Sequence, residues 1–191
     1  MNANELATAV ATETNRRLEA SVGKIRHCVD QLSDEQLWWR PAESMNSIGN
    51  LVLHLAGNLR QWIVSGVGGE TDTRERGREF AERGPISRDE LLGLLDRAVD
   101  ASREALKGIT ADGLLRPLRI QGFQLTALGA IFDSIPHFGG HTQEIVNLTR
   151  QQLGDSYRFE WAPSTARRRC LNPGAIVEEK ADVLTMREPG R

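Results

Sequence analysis

Of the 191 residues only two are cysteine, three are methionine and one is tyrosine, and aromatic residues make up 5%. Cys28 and Cys170 are too few for a disulfide framework and form neither a CxxC nor a Cys-rich zinc pattern, so reduced structural thiols are expected. Long apolar runs are also missing. No segment approaches the roughly 20 residues that span a bilayer, and the polar stretch Met1 to Arg17 lacks the apolar core of a signal peptide. A cytoplasmic protein without a membrane partner follows. Charge of one sign is absent too: 24 Lys and Arg against 26 Asp and Glu give a net charge of -2, and no basic helix offers the electrostatic footprint of a nucleic-acid binder. What remains, 39% hydrophobic and 26% charged residues, is the balance of a globular chain with one core.

Apolar residues recur at helical spacing in four places. Leu6, Val10, Leu18, Val22, Ile25, Val29 and Leu32, interrupted by Thr14, predict a first helix over about Asn4 to Leu32. Ser33 to Gln36 has the form of a capping box for a short turn anchored by Trp38 and Trp39 before Pro41. Ser47 caps a second helix striped by Ile48, Leu51, Val52, Leu55, Leu59, Trp62 and Ile63, ending at Gly66 to Gly69. Glu70 to Gly84 is rich in Arg and Glu with little apolar but Phe80 and Ala81, and reads as an exposed crossover. A capping box at Ser87 to Glu90 opens a third helix that runs to about Lys107. Gly113 to Leu125 reads as a loop, with a small hairpin across Gln121-Gly122 as one form of it. Thr126 caps a fourth helix, kinked but not ended at Pro136 and closed by Gly154. The expected fold class is therefore all-α: a four-helix bundle with long crossover connections and no extended sheet, occupying residues 1–161. Residues 162–191 lack a period and are expected to form a tail, docked or partly disordered. Its Arg167 to Arg169 run reads as solvated charge, with a grip on a carboxylate or phosphate as the alternative.

The four histidines carry the chemistry. His137 and His141 are four apart, so a helix places both rings on one side about a turn from each other, an arrangement that offers two imidazoles to one metal. At about 100° per residue they lie roughly 110 to 150° from the centre of their helix's apolar stripe. His54 is offset from its own stripe by about 120°. An ordinary core histidine would sit within the stripe. His27 projects to the polar side of the first helix and is expected in solvent. A histidine from a second helix joined to an i,i+4 pair makes three nitrogen donors, the set found in catalytic zinc sites that keep a position free. The competing reading is unrelated polar histidines.

Two stretches resemble a known family. Leu37-Trp38-Trp39-Arg40-Pro41 with Ser47-Ile48-Gly49-Asn50-Leu51-Val52-Leu53-His54-Leu55 is similar to the W-x-P … S-I-x-x-L-x-x-H-L pattern of the DinB/YfiT-like superfamily. His137-Phe138-Gly139-Gly140-His141-Thr142-Gln143-Glu144-Ile145 is similar to its H-x-x-x-H-x-x-Q-I segment, departing from it at Glu144. The resemblance implies a four-helix bundle, often a homodimer, in which His54, His137 and His141 bind a divalent ion.

Three imidazoles leave a divalent cation's charge uncompensated and positions open, so a thiolate or carboxylate is attracted. Zinc, nickel, iron and manganese all accept imidazole, zinc and nickel being placed first. The family resemblance suggests a thiol-dependent transferase, using a low-molecular-weight thiol, or a metal-water hydrolase, with a small-molecule substrate. The alternative is a non-catalytic helical dimer that binds a ligand or partner around a structural or vestigial metal. Asn50, Asn58 and Asp133 each lie four residues from a histidine on their own helix and are candidates to orient water or substrate. Glu144, three residues after His141, is a candidate base or acceptor, against the plainer reading of a solvated carboxylate. Trp38, Trp39 and Trp62 are read mainly as core.

Overall fold

The structure, a computed structural model, describes residues 2–160. The tail expected at residues 162–191, with Cys170 and the arginine run, lies outside the described residues.

The first long helix, α1 (Ala3–Val29), starts at Asn2, whose side-chain oxygen accepts from the Glu5 N–H at 2.9 Å while the Glu5 carboxylate accepts from the Asn2 N–H at 2.8 Å. It stops three residues before the expected Leu32. Thr14 does not interrupt its buried face: it is 4% exposed, and its hydroxyl donates to the Val10 carbonyl at 2.8 Å. Ser102, Thr142 and Thr149 do the same to the carbonyl four residues back. A self-satisfied hydroxyl tolerates burial that an unbonded one would resist.

A short helix, α2 (Asp34–Trp38), carries the expected capping box at Ser33. Trp38 anchors this turn through its indole N–H, which donates to the Ile86 carbonyl at 3.1 Å, but Trp39 is 41% exposed and anchors nothing comparable. The next long helix, α3 (Ile48–Leu59), is capped by Ser47 with Asn50 returning the bond. It does not stop there. The chain widens into a π-helical segment (Arg60–Val67), marked by the Gly68 N–H reaching the Ile63 carbonyl at 2.8 Å.

The crossover is the main departure from expectation. It contains a helix, α4 (Arg76–Ala81), which packs on α3. Arg74 and Glu79 are inside, their side chains 3% and 11% exposed. A charged run therefore reads as solvated until its partners are known.

The remaining elements are α5 (Arg88–Leu106), α6 (Ala111–Leu115), a hairpin of β1 (Pro117–Ile120) and β2 (Phe123–Thr126), and α7 (Ala127–Leu153). Ser87 accepts from the Glu90 N–H at 3.3 Å, but Glu90 does not return the bond, so the cap is half of the box expected. The hairpin pairs Pro117 with Thr126 and Ile120 with Phe123 across Gln121-Gly122, both at positive φ (50° and 87°), as a tight two-residue turn requires. α7 runs unbroken through Pro136.

Four long helices form the bundle. α1 packs on α7 and α5, and α3 packs on the same two. The pairs joined through the connections after α1 and α5 thus lie across the bundle from each other. Leu18, Ile25, Leu51, Leu55, Leu95 and Phe138 fill its centre at 1% exposure or less, each burial contributing roughly 1.5–3 kcal/mol. Among the described residues no helix is long and apolar enough to cross a membrane.

Trp38 also fixes the end of the crossover. Gly84 holds φ +76°, and a Cβ there would meet the Trp38 ring at 2.7 Å. Gly84→Ala therefore combines backbone strain with overpacking and should cost about 1–3 kcal/mol of stability, read as a lower urea midpoint at unchanged m-value. An unchanged midpoint would show that Trp38 does not pin this loop.

Candidate metal centre

The second half of α3 and the middle of α7 face each other, and this brings the three expected histidines together. His54 comes from α3, His137 and His141 from successive turns of α7, and one ligand atom of each lies within 4.8 Å of the other two. Ring centroids are 5.1, 5.0 and 4.5 Å apart for the 54–137, 54–141 and 137–141 pairs. The His54 and His137 Nε2 atoms approach to 2.9 Å. His54 is 3% exposed, whereas the His141 side chain is 24% exposed, so the cluster is closed at one end and open at the other.

Carboxylates set the ring orientations from behind. The Glu79 carboxylate lies 3.0 Å from His54 Nδ1, and Glu144 lies 2.7 Å from His141 Nδ1. In both rings the edge carrying Nδ1 faces a carboxylate, and the Arg74 Nη2 also lies 3.1 Å from His54 Nδ1. Glu144 is thus an orienting acceptor, not a bare solvated carboxylate.

Glu79 is itself held. Arg74 donates through Nε to one carboxylate oxygen at 2.6 Å and through Nη2 to the other at 2.8 Å. Its Nη1 donates to the Gln61 side chain at 3.0 Å. Burial would raise the Glu79 carboxyl, but the hydrogen bonds and charge of Arg74, with His54, hold it below the usual carboxylate value. Phe80 stacks against His54 with centroids 4.8 Å apart. Gly57, one turn after His54, makes room for all this: a Cβ on it would sit 2.0 Å from Glu79 Oε1.

Sequence reasoning missed Arg74, Glu79 and Phe80. A phenylalanine inside a charged run and a glycine inside a helix were the available signals.

The other expected residues divide. Asn58 accepts from the Ser134 hydroxyl at 2.8 Å and links α3 to α7 beside the cluster. Asp133 lines the small cavity next to His54 and His137. Asn50 does not turn toward His54. Its amide donates to the Glu79 and Glu82 carbonyls at 2.8 and 3.0 Å, so it fastens the crossover to α3. His27, expected in solvent, is half-buried with Nε2 2.6 Å from the Arg158 carbonyl, away from the cluster. Trp62 is 9% exposed and lines the same cavity as Asp133.

A helical bundle of DinB-like fold with three histidines able to hold one ion is the class these features define. The chain belongs to the family described as a protein of unknown function, DUF1572, which it matches over residues 5–164. Among solved structures it is similar to a DinB-like protein, YjoA, from Bacillus subtilis, at 14% identity and a TM-score of 0.58 over 77% of this chain and 96% of that one. It is also similar to a DinB-like protein from Bacillus cereus, at 20% identity and a TM-score of 0.55 over 69% of this chain and 85% of that one. No curated protein matches it.

Burial, then the neighbouring His141 and His54, then Arg74 and Arg76 push His137 down to about 4 from an ordinary 6.5. The unfolded chain therefore takes up a proton at this site before the folded one does. In EDTA, stability should fall as pH drops from 6.5 through about 4. His137→Asn should remove that part of the slope in urea titrations; parallel slopes for the two proteins would contradict the placement.

Proposed function

We propose that the protein is a divalent-metal-dependent enzyme, a thiol-dependent transferase or a hydrolase, in which His54, His137 and His141 hold the ion. The observation that carries this is the convergence of three imidazoles from two helices, two of them with the outer nitrogen bonded to a carboxylate. The donor set fits zinc or nickel, and iron or manganese also accept it. When bound, such an ion supplies Lewis acidity that lowers the pKa of a thiol or water brought against it. The chain's own contribution is orientation: Glu79 and Glu144 hold the His54 and His141 rings from behind, Arg74 keeps Glu79 in place, and α4 shuts one side of the cluster from water. Both carboxylates are engaged behind the rings. The ion's charge is therefore left to attract an anionic ligand; Asn58 and Asp133 line the small cavity against His54 and His137.

The same reading takes the working unit as a homodimer. Leu6 and Phe132 are 52% and 66% exposed beside a groove of about 750 Å³ between α1 and α7, and contiguous exposed apolar surface marks contact sites. Its rim carries both charge signs in Glu13, Arg16 and Lys24, as a self-complementary two-fold contact needs. Light scattering after size exclusion at micromolar concentration should give twice the chain mass, and Phe132→Glu should return the monomer; a monomeric wild type rejects the dimer.

Metal analysis tests the centre itself. Untagged protein supplemented with zinc or nickel should retain about one ion per chain, and less than about a tenth would end the proposal. Glu79→Gln and Gly57→Ala should weaken metal affinity by about 10–100-fold with an unchanged helical spectrum, because both disturb what holds His54. Metal-loaded protein assayed on thiol conjugates, esters and amides should turn over a member of one class, and His141→Ala should abolish it. Full occupancy without turnover would instead make the protein a metal-dependent ligand binder.

A further inference from the structure

Side chains from the hairpin turn, the π-helical segment and the crossover join end to end and reach His54. Arg74 can only donate, so the side-chain oxygen of Gln61 faces its Nη1, at 3.0 Å. The same oxygen accepts from the Gln121 amide at 2.6 Å, and the Gln61 amide donates to Asp72 at 2.7 Å. Gln61 is thereby held from three directions. Beyond it, Arg74 grips Glu79 and places Nη2 3.1 Å from His54 Nδ1, against which the Glu79 carboxylate lies at 3.0 Å.

The hairpin is seated firmly enough for its tip to belong to that chain of contacts. Ile120 is buried and fills a niche that Gly66 leaves open, since a Cβ on Gly66 would meet the Ile120 Cδ1 at 2.5 Å, and Arg116 donates to the Val67 carbonyl at 2.7 Å. Both contacts dock the hairpin on the π-helical segment that carries Gln61. Gln121 holds φ +50°, a conformation that glycine, asparagine or aspartate adopts with less strain at the first central position of such a turn. What glutamine adds there is a longer side chain with an amide at its end. The turn itself does not call for this residue; the contact with Gln61 does.

We infer that Gln61 and Gln121 are positioning residues of the metal centre: the hairpin turn fixes Arg74 through the two amides, and Arg74 fixes the His54 ring. The inference rests on the metal-dependent reading only for what His54 is held to do. Arg74 is almost wholly buried, so a guanidinium that loses the Gln61 oxygen has an unpaired donor inside the protein and turns to find another acceptor. That turn carries away from His54 both Nη2 and the Glu79 carboxylate that Arg74 grips. Loss of the Gln121 amide acts one step earlier and more weakly, by leaving the Gln61 side chain free to rotate away from Arg74. Because Gln121 acts through Gln61, the two contributions are coupled rather than independent.

Two variants separate these links. Gln121→Gly removes the side chain and suits the positive φ, so the hairpin stays folded; Gln61→Met keeps the length of the side chain and removes its acceptor. Zinc dissociation constants from chelator competition should rise about threefold in Gln121→Gly and about tenfold in Gln61→Met, and the double variant should bind no more weakly than Gln61→Met alone. In EDTA-treated protein the His54 ring resonances in two-dimensional nitrogen–proton spectra, assigned by their loss in His54→Asn, should shift in both single variants. Zinc affinity or His54 resonances left at wild-type values in Gln121→Gly, or losses that multiply to about thirtyfold in the double variant, would overturn the inference while leaving the metal centre standing. Wild-type protein that binds no zinc would remove the metal-dependent reading instead, and the His54 resonances of the metal-free variants would then decide the inference alone: shifted, they uphold it, and unmoved, they overturn it.

Discussion

The site depends on a buried ion pair from the crossover reaching across α3 to the back of one histidine. Arg74 and Glu79 are almost wholly removed from water, and taking two charges inside is costly unless each finds close partners. Here each does. Arg74 directs its donors at Glu79, Gln61 and His54, and Glu79 uses its remaining capacity on His54. The result is a connection that is structurally part of the centre: without it, His54 would keep its place on α3 but lose both groups that lie against its Nδ1.

Several features of the bundle follow from the need to bring that connection in. Asn50 both caps α3 and holds the Glu79 and Glu82 carbonyls, so the helix start and the crossover are ordered by the same side chain. Gly57 leaves the gap that Glu79 fills. The π-helical widening after Leu59 carries Gln61, the partner of Arg74, and Trp62, which lines the cavity. These residues look unrelated along the chain. They share one purpose in space, which is to fix one imidazole and leave room beside it.

Behind the rings, the Glu79 and Glu144 carboxylates lie against the Nδ1 atoms of His54 and His141, and Arg74 holds Glu79 from its other side. Burial of His137 among other imidazoles and two arginines keeps it unprotonated through the neutral range.

The apolar periods in the sequence were enough to determine the four long helices, the caps at Ser33, Ser47 and Thr126, and the tight turn at Gln121-Gly122, because each rests on interactions within a few residues. Spacing along one helix likewise determined that His137 and His141 share a side. The approach of His54 to them required α3 to pack on α7. The capture of Asn50 by the crossover and of His27 by Arg158, and the burial of Arg74 and Glu79 within a run of charges, required contacts between residues 13 to 131 apart in the chain. Periodicity records which face of a helix avoids water; it does not record what lies opposite. Partners far apart in sequence are chosen by how the elements close around a common core, and that choice made the centre.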